Sequence, residues 1–316
     1  MSINQDPFIQ NQKLGRGVNI IGYDPTWKDK TKARFSDSHL KKIKEVGFDH
    51  VRINLHPFKF CGVEPQYQLS SQFFDTLDWA IDVALSYDLQ VIIDLHEFNS
   101  MAKNLQGLKV TYFSVWNQLS HHYRNYPESV FFELLNEPHG DLHSAAWNEL
   151  AKLTLDLVRI ENPNRTVILG PANWNGIEQL SELTLPEADR NIIVTVHFYH
   201  PMEFTHQGAP WSTHGNRIGV QWQDSEAERN LLVKKLAVAE EWALAHNRPI
   251  FLGEFGAYDK GDMTSRARYT AFIARQAESY GWSWSYWQFD SDFILYDIDN
   301  DQWVEPILRA LIPKGT

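Results

Sequence analysis

The stretch VFFELLNEPHG, Val130 to Gly140, decides the fold. From Val130 to Leu135 every side chain but Glu133 is apolar, the pattern of a strand covered on both faces. Side chains alternate along a strand, so Phe131, Glu133, Leu135 and Glu137 are expected to share one face. Pro138 has no N–H to donate and ends the ladder. Glu137 therefore reads as a carboxylate at the C-terminal tip of a buried strand, where parallel α/β folds carry their chemistry. The alternative reading is a surface glutamate capping the next loop.

Seven more short apolar runs surround it: Gly17–Ile21, His50–Leu55, Gln90–Leu95, Thr166–Gly170, Asn191–Tyr199, Pro249–Glu254 and Trp282–Trp287. Between them lie stretches with helical spacing or helix stops and starts. Ser36 precedes a helix that stops at Gly47. Ser70 caps one running to about Tyr87, and others cover about 111–125, 145–160, 176–183, 224–245 and 265–280, with a last one near Leu311. Eight alternating units predict a single-domain (β/α)8 TIM barrel over residues 1–316. A doubly wound sheet is the second choice, but it would want a glycine-rich phosphate loop after an early strand, and Gly15–Gly17 precede the first one. The longest connection, Tyr199 to Asp224, is expected to be functional or disordered.

The 316 residues are 43% hydrophobic and carry a net charge of −11. No basic cluster suits a nucleic acid, and no apolar run approaches the ~18 residues of a membrane span. Cys61 is the sole cysteine, so no intrachain disulfide forms. The first residues lack the basic and apolar regions of a signal peptide. The reading stays open between a cytoplasmic protein and a secreted one whose leader lies outside this sequence. A monomer is expected. Twelve tryptophans are many for this length; part belong in the core and part suit a cleft for flat ligand faces such as sugar rings.

Strand alternation directs Arg52, Asn54 and His56 to one face; Ile92, Asp94 and His96 to another; Thr195, His197 and Tyr199 to a third. Ile250, Leu252 and Glu254 align on the seventh strand, and Ser283, Ser285 and Trp287 on the eighth. Polar groups near so many strand ends are unlike the branched apolar filling of a purely structural barrel. Glu137 and Glu254, on strands four and seven, face each other across the mouth. Two opposed carboxylates suit glycosidic cleavage, one protonating the leaving oxygen and the other attacking the anomeric carbon or activating water. A cation lowers a carboxylate's pKa and burial raises it. Arg52 is a candidate to keep one of the two ionised, and His197 could exchange protons with the other.

Asn136–Pro138 (NEP), His197–Pro201 (HFYHP), Gly253–Gly256 (GEFG), Arg52 within VRINL, and Trp287 resemble glycoside hydrolase family 5, in clan A of retaining barrel enzymes. The likeness runs from the first strand to the eighth. It implies Glu137 as acid/base, holding its proton, Glu254 as nucleophile, Asn136 on the sugar 2-hydroxyl, and Arg52 and Tyr199 positioning Glu254 and keeping it ionised. His197 would support Glu137, while His96 and Trp287 would bound the sugar at the cleaved bond. Asn19 would stand at a sugar-binding position on the first strand. The loop FTHQGAPW would bring His206 and Trp211 to sugar. The resemblance also implies a cis peptide between Trp287 and Gln288, and no metal or cofactor.

Two departures bear on substrate preference. DLHEF places Glu97 where many such enzymes have a second histidine, and IIGYDPTW follows Asn19 in place of a commoner GNxLE. Glu133 reads as a structural buried acid that needs an internal partner. The primary expectation is an endo-acting β-1,4-glucanase taking cellulose-type and mixed-linkage glucans. The alternative is a β-mannanase or broad β-glycanase accepting xyloglucan or glucomannan. A metal-dependent hydrolase using His96 and His197, and a non-catalytic sugar-binding barrel, are weaker: no HxH follows the first strand, and both glutamates are present.

Overall fold

A computed structural model describes residues 6–313. Its strands are β1 (Arg16–Ile20), β2 (His50–Leu55), β3 (Gln90–Leu95), β4 (Val130–Glu133), β5 (Val167–Leu169), β6 (Ile192–His197), β7 (Ile250–Glu254) and β8 (Ser283–Tyr286). All neighbours are parallel, and β8 pairs back on β1 to close the barrel. The barrel reading therefore holds, with most strand ends shifted by a residue or two. The largest shift is in β4, which stops at Glu133, before Leu134 and Leu135.

The connecting helices pack outside. Ser36 and Ser70 precede helices Asp37–Glu45 and Ser71–Ser86 as expected, the Ser70 side chain accepting from the Phe73 N–H. The helix expected from Thr111 begins at Leu105, because the Asn104 side chain caps it by accepting from the Gly107 N–H. A helix not foreseen, Pro7–Leu14, crosses the N-terminal end of the barrel. Its Asn11 amide donates to the Ile250 carbonyl and accepts from the Ser283 hydroxyl, at the first residues of β7 and β8.

Leu14 then inserts among Ile92, Phe131, Ile168, Ile193 and Phe251, all fully buried, to form an apolar floor inside the barrel. Above this floor the same faces turn polar: Asp94 follows Ile92, Glu133 follows Phe131, and Thr195 follows Ile193. The apolar layer thus separates the polar layer from one end of the barrel and leaves it open only at the C-terminal mouth. The seventh strand has the opposite parity to that expected from its alternation. Phe251 faces the interior, and Ile250 and Leu252 join the outer core between strands and helices.

Leu14→Ala opens a cavity in a closed layer and is expected to cost about 2–5 kcal/mol of stability. A lower midpoint in urea unfolding checks this. A loss below ~1 kcal/mol would mean the layer collapses without its plug.

Candidate active site

Arg52 on β2 is fully buried, and a charge there must be paired. Its Nε and Nη2 donate to Glu133 at 2.7 and 2.8 Å. Nη1 donates to Glu254 at 2.9 Å and to Asn19 at 2.7 Å, and Nη2 also donates to Asn136 at 2.8 Å. Asp94 lies 3.2 Å from Nη2. Glu133 thereby finds the internal partner its burial demands. Asn19, expected at the sugar, is instead spent inside the barrel: its amide donates to the Gly253 and Tyr286 carbonyls and the Ser285 hydroxyl, and its oxygen accepts from Arg52 and Asn54.

The two candidate glutamates reach the mouth by departures from strand geometry. Glu137 has φ of 42°, outside the strand region. That kink lets consecutive Asn136 and Glu137 both point at the site, whereas Leu134 and Leu135 both join the outer core. Strict alternation from Phe131 to Glu137 is thus broken. On β7 the register slips between Val196 and His197, so that His197 pairs with Glu254 and Gly253 is passed over. Such a bulge re-aims the next side chain, and it turns Glu254 inward although Phe251 and Gly253 already face that way. Gly253 permits this, because a Cβ there would lie 2.6 Å from Thr195 Oγ1 and 3.0 Å from His197 Nε2.

Around the pair, the Tyr199 hydroxyl donates to Glu254 Oε2 at 2.9 Å. Asn175 Nδ2 lies 3.3 Å from His197 Nε2, which must accept, so the imidazole proton sits on Nδ1 and is donated to Glu137 Oε1 at 2.8 Å. One oxygen from each glutamate and a nitrogen of His197 lie within 4.8 Å of one another. Among the described residues this is the one set of histidine and acid groups close enough to meet on a single ion. Each is already engaged in a proton-sharing contact, and His96 stands outside the set, bonded to Asp94 and Asn136 and stacked on Trp287 at 5.4 Å. The Trp287–Gln288 peptide is cis.

Burial raises the Glu137 carboxyl to about 8; Arg52 opposes this, and Asp94 and Glu133 add to it. Burial also raises Glu254, to about 7, with His197 and Arg52 opposing and Glu137 adding. The expected order holds, with Glu137 the weaker acid. The expectation that Arg52 would hold Glu254 low does not. Glu254 is deeply buried, and Arg52 is shared with Glu133 and Asp94.

Of the loop residues, Trp211 is 57% exposed, edge-on to Tyr258. His206 is largely buried, its ring against Tyr199 and Phe293. Glu97 braces a loop, accepting from the Phe58 N–H and the Ser100 hydroxyl. Trp174, which pattern reading passed over, is 50% exposed and stacks on His139 at 4.6 Å. It borders a cavity of about 580 Å³ that also includes His143, Gln179 and Glu182. Asn173, Trp174 and Asn175 all have positive φ, so no periodicity signals this segment.

A family model described as Cellulase (glycosyl hydrolase family 5) matches residues 11–292. Endoglucanase H of Acetivibrio thermocellus is 27% identical over 98% of this chain, and Endoglucanase 3 of Fibrobacter succinogenes 25% identical over 94%. The chain covers 34% and 52% of those two proteins, so it spans a third to a half of their length. The crystal structure of Thermotoga maritima Cel5A in complex with mannotriose superposes with a TM-score of 0.92 at 38% identity, over 97% of this chain and 100% of that one. Structures of the same protein in complex with cellobiose match equally, with the same TM-score, identity and coverage. A closed (β/α)8 barrel with an acid pair at its mouth is the architecture of a large class of glycoside hydrolases. Within that class, the chain belongs to glycosyl hydrolase family 5.

Gly253→Ala is expected to fold but to lose about 10²-fold or more in kcat, because its Cβ displaces His197 or Glu254. Circular dichroism and steady-state rates check this. Activity near that of the unaltered protein would mean the strand end has slack.

Proposed function

We propose that the chain is an endo-acting, retaining β-1,4-glucanase that cleaves cellulose-type and mixed-linkage glucans by double displacement. One observation carries the mechanism: Glu137 and Glu254 approach within 4.8 Å in environments that make Glu137 the weaker acid. A short separation suits direct attack by a carboxylate rather than by an intervening water. The names of the relatives favour glucan: two are endoglucanases, and T. maritima Cel5A has been crystallised with cellobiose as well as mannotriose.

In this reading Glu254 is the nucleophile. Arg52 and Tyr199 each donate to one of its oxygens and steady the carboxylate. Glu137 Oε1 is occupied by the His197 N–H, so the acidic proton sits on Oε2. As a Glu254 oxygen bonds to the anomeric carbon, the glycosidic bond breaks and that proton passes to the leaving oxygen. Esterification removes the negative charge of Glu254. The repulsion between the two carboxylates then vanishes, which makes Glu137 a stronger acid and stabilises it as an anion. Glu137 next takes a proton from water while the water oxygen attacks the anomeric carbon and frees Glu254. Asn136 and the His96–Trp287 stack border the sugar at the cleaved bond. The exposed faces of Trp211 and Trp174 serve as platforms for sugars on either side of it, His206 backs the first of these, and an apolar ring face on an indole excludes water.

Azide separates the two roles. Glu137→Ala with an activated aryl cellobioside and azide is expected to give a β-glycosyl azide, and Glu254→Ala an α product, distinguished by proton NMR. The reverse pairing would exchange the assignments. Reducing-sugar release from barley β-glucan and carboxymethylcellulose tests the substrate. Hydrolysis of mannan with refusal of every glucan would replace the glucanase reading with the mannanase one.

The pH profile of kcat/KM on a soluble glucan follows from the two carboxyls. Activity rises as Glu254 ionises near pH 7 and falls as Glu137 ionises near pH 8, so a narrow bell is expected between them. A broad plateau from pH 4 to 9 would contradict it.

A further inference from the structure

Glu133 takes no part in the steps above, yet it holds the most complete contact in the site. Arg52 gives it two N–H bonds, at 2.7 and 2.8 Å, and gives Glu254 one, at 2.9 Å. Burial pushes the Glu133 carboxyl up and Arg52 opposes this, but both Glu133 oxygens accept, as a carboxylate does when it meets the guanidinium fork. Both side chains are fully buried, so little water screens the pair. Geometrically Arg52 belongs to Glu133 first and to Glu254 second.

The other groups facing this layer do not supply a second cation. From β3, Asp94 also leans on Arg52, but its Oδ2 is shared with the His96 and Asn54 side chains. Burial disfavours the charged form of His96, and of His50 below and His56 at the end of β2. His197 is likewise pushed toward neutrality by burial, and it and Tyr199 face the pair from β6 and the loop after it. β1 and the segment after it contribute the uncharged Asn19 and Tyr23, the latter's hydroxyl pushed up to about 12 by burial and by the charges of Glu254, Glu137 and Asp94; β8 and its end contribute Ser285 and Trp287, and the segment after β5 Asn175. Among the described residues Arg52 is therefore the one lasting positive charge beside Asp94, Glu133, Glu137 and Glu254.

We propose that Glu133 is a positioning residue that engages the charge of Arg52, so that Glu254 is held in place by a cation already paired elsewhere. The inference rests on the reading of Glu254 as nucleophile. The pairing of Arg52 with Glu133 adds to burial and to the charge of Glu137, which already raise the carboxyl of a nucleophile that touches an arginine. It also gives a reason for placing an acid below the site: an unshared Arg52 would hold Glu254 as a weaker base and a poorer nucleophile.

Glu133→Gln tests it. Loss of this negative charge leaves Arg52 to Glu254 and removes a like charge from Glu137. Both carboxyls then become stronger acids. The two limbs of the kcat/KM bell should move to lower pH by about one unit. A merely structural role would lower the rate at every pH and leave the limbs in place; unmoved limbs overturn the proposal. Glu133→Asp, which keeps the charge, should hold the limbs closer to their original pH than the glutamine variant does. If the glutamine variant does not fold, the unaltered protein labelled with carbon-13 at glutamate carboxyls carries the test. The Glu133 signal, assigned by its loss in the aspartate variant, should titrate below that of Glu254, and the opposite order overturns the proposal. The underlying reading fails separately: a 2-deoxy-2-fluoro aryl cellobioside that leaves no adduct on Glu254 removes the nucleophile assignment itself. An adduct on Glu254 with unmoved limbs removes only the role of Glu133.

Discussion

The buried guanidinium of Arg52 is the constraint on which the rest of this barrel depends. Placing a charge there costs several kcal/mol unless its hydrogen bonds are met. Here they are met from around the whole ring: Asn19 on β1, Glu133 on β4, Asn136 just beyond it, and Glu254 on β7. One side chain thus ties strands on opposite sides of the barrel. The arrangement also requires an apolar seal below it, which Leu14 completes from a helix outside the strand ring. Without that seal, water at the N-terminal end would screen the charges and flatten the difference between the two carboxyls.

The acids are arranged so that charge is scarce. Among the described residues four carboxyls share one cation, and burial pushes the neighbouring histidines toward neutrality. Protons must make up the difference. Both glutamates at the mouth are pushed up chiefly by burial, with Arg52 opposing. The backbone contributes through two irregularities, the left-handed turn at Glu137 and the bulge opposite Gly253. Both bring a carboxylate to where regular alternation would not.

Tryptophan use follows the division between core and cleft. Trp116, Trp147, Trp222 and Trp284 are among the largest fully buried side chains. Trp174 and Trp211 stay exposed at loops after β5 and β6, and Trp287 lines the mouth against His96. Composition alone indicated an excess of indoles. Only their placement separates packing from a sugar-facing role.

Local and periodic features were legible in the chain itself. Apolar runs broken by caps and glycines established eight strand–helix units, because period and punctuation depend on near neighbours. NEP, HFY and GEFG located both glutamates for the same reason: each motif sits at one strand end. What folding alone decided was non-local. Arg52 meets Glu133 and Glu254 across 81 and 202 residues of sequence. Burial, together with the nearby charge of Glu137, is what raised Glu254 when its nearest expected neighbour argued for lowering it. The plug by Leu14, the retreat of Asn19 into the barrel, and the parity of β7 were likewise hidden. Each depends on ring closure and on a one-residue slip in register, and a strand's own alternation carries no record of where its neighbour shifts.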